Sequence, residues 1–157
     1  MDFIRITTAH FEELKALHAA YKAAIGEKAP TSAQFERLYR ALENGSIDFY
    51  GCICGGRLVA CCSIACVFST FHYDRGGVLE DFYIAPPYRH QGIARKLAQY
   101  GIKESGVQSL TVGCADCDAD MYRAIGFRVP LGHLLAFDGA FQADRADGQT
   151  ESCGGAK

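Results

Sequence analysis

Residues 80–105 read EDFYIAPPYRHQGIARKLAQYGIKES, and the middle of that run is chemically unusual. A strand-like segment ends at two prolines, and a helical pattern then begins with no Ser, Thr, Asp or Asn placed to cap it. In place of a cap the turn carries Arg89, Gly92 and Ala94 in the spacing Arg-x-x-Gly-x-Ala. The first four N–H groups of a helix have no partner inside it, and the aligned peptide dipoles leave partial positive charge there. An anion such as a phosphate supplies the missing acceptors. Gly92 and Ala94 let a bulky anion reach the backbone, while Arg89, Arg95 and Lys96 add positive potential. The GK[ST] ending of a P-loop is absent, because Ile93-Ala94 follows Gly92, and there is no GxGxxG fingerprint.

Other residue groups carry weaker signals. Cys114 and Cys117 form a lone CxxC. Zinc would need two further ligands, and no second close Cys or His pair follows. A structural role for this pair outweighs metal or redox chemistry. Cys52, Cys54, Cys61, Cys62 and Cys66 lie in strand-like sequence, where Cys behaves as a small hydrophobe. Asp116, Asp118 and Asp120 have the alternate spacing of a calcium loop but lack its Gly and its final Glu. His72 falls in a loop and His133 in a closing strand, where solvated and structural roles are expected. No metal site is predicted.

Composition bounds the remaining possibilities. The chain has 157 residues, 49% of them hydrophobic, and a formal net charge of −2. That length suits one domain with one core. No apolar run reaches the roughly 18 residues of a membrane span. The start MDFIRITTAHFEELK lacks the basic and apolar blocks of a signal peptide, so a cytoplasmic protein with reduced thiols is expected. Without a basic stripe, nucleic acid is a poor partner.

The elements around the turn follow from periodicity. Phe3 to Ile6 alternates as a strand. From His10 to Ile25, Phe11, Leu14, Leu17, Tyr21 and Ile25 recur at helical spacing, and Gly26 stops the helix. Thr31 and Gln34 fit a capping box for a second helix, with Phe35, Leu38 and Leu42 as its inner stripe. Two strands follow, joined at Gly55-Gly56. Residues 69–77, STFHYDRGG, read as a longer turn before a strand from Val78 to Ile84. A helix from Gly92 to about Ser105, a strand from Ser109 to Val112 and a short helix from Ala119 to Ile125 come next. FRVPLGHLLAF predicts one or two closing strands. The order β-α-α-β-β-β-α-β-α-β-(β) implies an α/β domain over 1–140, with a mixed sheet and helices on both faces. The composition of 143–157 is that of a disordered tail.

The Arg89 to Ala94 pattern resembles the acyl-CoA loop of the GCN5-related N-acetyltransferases (GNAT), whose signature is [RQ]-x-x-G-x-[GA]. MYRAIGF at Met121 to Phe127 resembles that family's later "lYeklGF" motif, and the order of elements is similar from Phe3 to about Phe137. The resemblance implies the GNAT fold and acetyl-CoA as cosubstrate. Backbone amides of His90, Gln91, Gly92, Ile93, Ala94 and Arg95 would hold its pyrophosphate, with Arg89 adding charge. Phe82, Tyr83 and Ile84 would pair with the pantetheine arm, and an N–H near Ile84 would polarise the acetyl carbonyl. Many members carry an Asn where this chain has Ala115, so one secondary contact is missing.

The implied activity is transfer of acetyl from acetyl-CoA to a primary amine of a small molecule. The acceptor pocket is expected between the first two helices and the loop around Ser69 to Arg75. An alkylamine is neutral about once in a thousand at pH 7, so a base or a water chain to one helps. Tyr122 is the candidate general acid, against the plainer role of a packed core ring. Glu80 is the candidate base or amine anchor, in a segment EDFYI that resembles the EDFFV of diamine acetyltransferases. It reads equally well as a solvated or salt-bridged carboxylate, and Asp81 is the weaker alternative. If Ile84 faces the core, period-two alternation puts Glu80 on the same face and Asp81 on the other. Two other readings are a non-catalytic acyl-CoA-binding regulatory module and an acetyltransferase acting on a protein N-terminus or lysine. A homodimer through the closing strands is compatible with the sequence.

Overall fold

The computed structural model describes residues 1–134; the expectations for 135–157, including the tail at 143–157, lie outside the described residues. The strands are β1 (Asp2–Ile6), β2 (Asp48–Cys54), β3 (Arg57–Ser69), β4 (Asp74–Ile84) and β5 (Ser109–Val112). The helices are α1 (Phe11–Ala24), α2 (Ser32–Glu43), α3 (Ile93–Ser105) and α4 (Ala119–Ile125). The sheet runs β1-β2-β3-β4-β5. The first four strands are antiparallel, and β5 joins β4 in parallel. This is the expected mixed α/β architecture. Gly55 and Gly56, with φ of 59° and 75°, make the tight β2–β3 turn that only positive φ allows.

Each face of the sheet buries its own cluster. Leu14 and Leu17 of α1 pack with Ile6, Phe49, Leu58, Cys61 and Tyr83, and α2 adds Phe35, Leu38 and Leu42 at the margin. On the other face Ile93 and Leu97 of α3 meet Tyr50, Cys62, Ile64 and Leu79, with Tyr122 of α4 half-buried beside them. Each fully buried Leu or Ile contributes roughly 1.5–3 kcal/mol, so the two faces hold the strands in register. Thr31 and Gln34 form the expected capping box, with a Thr31 N–H donating to Gln34 Oε1 at 2.7 Å. The buried Asp48 carboxylate accepts from Arg5 and lies 3.8 Å from Arg75 Nη2, tying β1 and β4 to β2 with two counterions.

Two stretches differ from the sequence expectation. Residues 74–77 belong to β4, so the turn shrinks to Thr70–Tyr73. Gly76 and Gly77 read as turn residues, yet they pair with Ser109 and Leu110 of β5. They are glycines because neighbours come close. A Cβ on Gly77 would lie 2.8 Å from Ile64 Cγ2 and 3.1 Å from both Leu110 Cδ1 and Val107 Cγ1. The described part of the predicted closing strands, Phe127 to Leu134, has no regular structure. Pro130 removes a ladder donor there, and Gly132 turns the chain with φ 95°.

Ile64 is stiff at χ1 and cannot move away from an added methyl. Gly77→Ala should therefore lower stability by about 1–3 kcal/mol, seen as a drop in the urea midpoint at unchanged m-value.

Candidate active site

The site begins where β4 leaves the sheet. The Ala85 N–H donates to Val59 O of β3 at 2.9 Å. A short 3₁₀ turn, Pro86–Tyr88, then reverses the chain. Gln91 Nε2 donates to Pro87 O at 3.1 Å. His90 and Gly92 both take left-handed backbone, with φ of 60° and 76°. Gly92 is the N-cap of α3 and offers no side-chain acceptor. Among the described residues, no chain acceptor meets the N–H groups of Ile93, Ala94 and Arg95. A Cβ on Gly92 would meet nothing within 4 Å, so the helix start opens outward. Exposed Arg95 and Lys96 flank it, whereas Ile93 turns its side chain into the core. The turn therefore presents backbone donors at the positive end of a 13-residue helix, which is an anion-binding arrangement.

Arg89 does more than add charge. Its Nε–H donates to Ile84 O at 3.0 Å, and its guanidinium carbon lies 5.8 Å from the Tyr83 ring centroid. The side chain thus straps the turn to the end of β4.

The second part of the site is the outer edge of β4. β5 pairs only with Gly76 to Leu79, so among the described residues Glu80 to Ile84 has no strand on that side. Successive residues of a strand turn their N–H and C=O groups to opposite edges. Ala85 bonds β3, so Ile84 turns its N–H and C=O outward, and Phe82 does the same two residues earlier. Main-chain groups of Phe82 and Ile84 thus point away from β3 along the outer edge of β4. Tyr83 differs: its ring is buried on the α1 face, 5.8 Å from the Tyr21 ring.

Between Leu79 and Phe82 the strand bulges. Cys62 pairs with Phe82 and Ile64 with Leu79, so Ser63 alone stands opposite both Glu80 and Asp81. The Asp81 N–H donates to the Ser63 hydroxyl at 3.1 Å. The bulge breaks the period of two. Leu79 and Phe82, three residues apart, both face α3. Alternation from Ile84 therefore cannot fix where Glu80 points. Glu80 is exposed in the bulge and Asp81 partly buried.

Side chains of two helices feel Asp81. His18 and Tyr21 of α1 both sense its charge, as does Tyr122 of α4. Tyr122 is half-buried, its ring edge-on to Phe127 at 5.8 Å. Burial first, then Tyr21, Asp118, Cys114 and Asp81, pushes its phenol up to about 12. Burial and then Asp81 also raise Tyr21. Ala115 caps a 3₁₀ turn just before α4, where its methyl group offers no polar contact.

His18 and Tyr21 were not among the site residues expected from the sequence. The available signal was a His in the apolar stripe of α1, four residues after Leu14 and three before Tyr21. Other polar candidates stay apart. His72 and His133 are exposed. The groove between α1 and α2 is lined by Phe11, Lys15, Phe35 and Tyr39 among others, and by no residue of the loop at 69–75. Burial pushes the Cys62 thiol up to about 12 and Cys61 higher still, so these are inert core residues.

Solved structures share this fold. An aminoglycoside acetyltransferase from an uncultured soil metagenomic sample, in complex with sisomicin, aligns with a TM-score of 0.73 at 14% identity, over 87% of this chain and 95% of that one. The ribosomal-protein-alanine N-acetyltransferase of Brucella melitensis biovar Abortus 2308 aligns at 0.70 and 17% identity, over 87% and 99%. A predicted acetyltransferase of Clostridium acetobutylicum with acetyl-CoA aligns at 0.69 and 15% identity, over 87% and 95%. No curated protein matches the chain. The model of the acetyltransferase (GNAT) domain matches residues 36–129, more than half of the chain. That match runs from α2 past α4 and takes in the open edge, the bulge and the helix start, and the chain belongs to the GNAT acetyltransferases.

Proposed function

We propose that this protein transfers an acetyl group from acetyl-CoA to a primary amine of a small molecule, by direct attack within a ternary complex. The observation that carries the reading is the uncapped start of α3 beside the unpaired edge of β4. The amides from His90 to Arg95 receive the pyrophosphate. The pantetheine arm adds itself to the edge at Phe82 and Ile84, as a peptide strand would. An N–H near Ile84 polarises the thioester carbonyl.

The amine nitrogen attacks the carbonyl carbon and the C–S bond then breaks. Proximity supplies much of the rate, since both reactants are held on one scaffold. An ammonium must first lose a proton, and Glu80 and Asp81 of the bulge are the carboxylates we assign to that step or to anchoring the amine. Tyr122 serves the leaving sulfur. With its phenol pushed up to about 12, it stays protonated at neutral pH and donates. A full transfer to a thiolate of pKa about 8.5 runs uphill. The phenol therefore relays: it gives its proton to sulfur as it receives the one leaving the amine nitrogen, and no phenoxide accumulates.

Two variants test this reading. Titration calorimetry should show roughly micromolar acetyl-CoA binding, and Gly92→Glu should weaken it at least tenfold, about 1.4 kcal/mol, by placing a carboxylate over the free N–H groups. No binding to the wild type at millimolar acetyl-CoA would end the assignment. Tyr122→Phe should leave that binding intact and lower kcat about 100-fold or more in a thiol-release assay with an amine panel. Unchanged turnover would remove Tyr122 from the mechanism. Binding without turnover for any amine would point to a regulatory module.

A further inference from the structure

His18 is 7% exposed, and its Nε2 is buried with no hydrogen-bond partner among the described residues. Buried polar atoms are normally hydrogen-bonded, so this one calls for an explanation. The register of the sheet shows where it stands. The imidazole packs edge-on to Phe49 with ring centroids 5.5 Å apart. Phe49 lies directly across from Ser63 in the β2–β3 ladder. Ser63 is the residue whose hydroxyl accepts the Asp81 N–H at the bulge. His18 therefore lies over the bulge, on the face that also carries Tyr83 and Cys61.

We propose that His18 is a positioning residue that acts through Asp81. As a neutral imidazole it leaves the carboxylate free to hold the ammonium of the acceptor. As an imidazolium it pairs with Asp81 and withdraws that carboxylate from the amine. This deepens the proposed reaction and rests on it for its functional half.

The charges around His18 agree with this geometry. Burial is the largest influence and lowers its pKa from 6.5. Asp81 from β4 raises it, and Lys22, one turn along α1, lowers it. Lys22 is itself paired with Glu27 at 2.6 Å. The cluster on the same face draws Phe49 from β2, Cys61 from β3, Tyr83 from β4, Tyr21 from α1, and Phe35, Leu38, Tyr39 and Leu42 from α2. The sign follows from the depression. Below pH 6.5 the unfolded chain takes up a proton that the folded His18 resists, so folding stability falls as pH drops through that range. Within the fold, the proton arrives only at lower pH, and the ion pair with Asp81 forms there.

The test is an NMR titration of the His18 Cε1–H signal in the protein without acetyl-CoA. The wild-type signal should titrate below 6.5. In Asp81→Asn its midpoint should fall further, by about 1 pH unit. An unchanged midpoint overturns the pair. The second arm takes kcat/KM for an amine that supports thiol release, as the ratio of His18→Gln to wild type, so that the acceptor's own titration cancels. The ratio should rise as pH falls through the wild-type His18 midpoint, because the variant cannot form the imidazolium. A flat ratio overturns the positioning role. Absence of acetyl-CoA binding would sink the proposed reaction instead, and the ligand-free titration would still decide whether His18 and Asp81 are paired.

Discussion

β5 follows β4 for four residue pairs and then leaves it. Everything chemical in this molecule depends on that parting. A sheet edge buried without partners is costly, and among the described residues no strand pairs with the outer edge of Glu80 to Ile84, so those main-chain groups call for solvent or a ligand. The parting also gives α3 room to start beside β4 rather than over it. If β5 continued along β4, the strand edge from Glu80 to Ile84 would be occupied.

The bulge is the second constraint, and it works through the core. Leu79 and Phe82 both have to reach the α3 face, and only an extra residue between them permits it. The cost is a pair of carboxylate residues in mid-strand. Ser63 offsets part of it by accepting the displaced Asp81 N–H. Around this point α1 delivers His18 and Tyr21, and α4 delivers Tyr122. None of these elements is adjacent in sequence, yet each is fixed by an apolar stripe of its own.

Local signals were the legible ones. The double glycine of the β2–β3 turn, the Thr31 capping box and the stripe of α3 all follow from residues within a few positions of one another. So does the uncapped helix start, since Gly92 and its neighbours announce it. What stayed hidden depends on a partner far along the chain. Gly76 and Gly77 look like turn residues in isolation, because a glycine that relieves a steric approach and one that relaxes φ are the same letter. The bulge is a mismatch of count between two strands and has no signature in either one. His18 gains its meaning only from Phe49 and Ser63, which lie more than thirty residues away. No strand forms from Phe127 to Leu134, where Pro130 lacks a ladder donor and Gly132 takes positive φ among the hydrophobic residues.

The Arg89 strap joins the open edge to the helix start. Its Nε–H holds the Ile84 carbonyl while its guanidinium rests by Tyr83, so one side chain spans the two surfaces. A link of this kind makes the site a gauge. Under the proposed function, the span between an anion on the amides of α3 and a chain along β4 is set by the protein, not by the ligand. A ligand whose arm is a few atoms too short or too long engages one end and misses the other, whatever its head group. Length discrimination then comes from the backbone itself, without a side chain dedicated to measuring it.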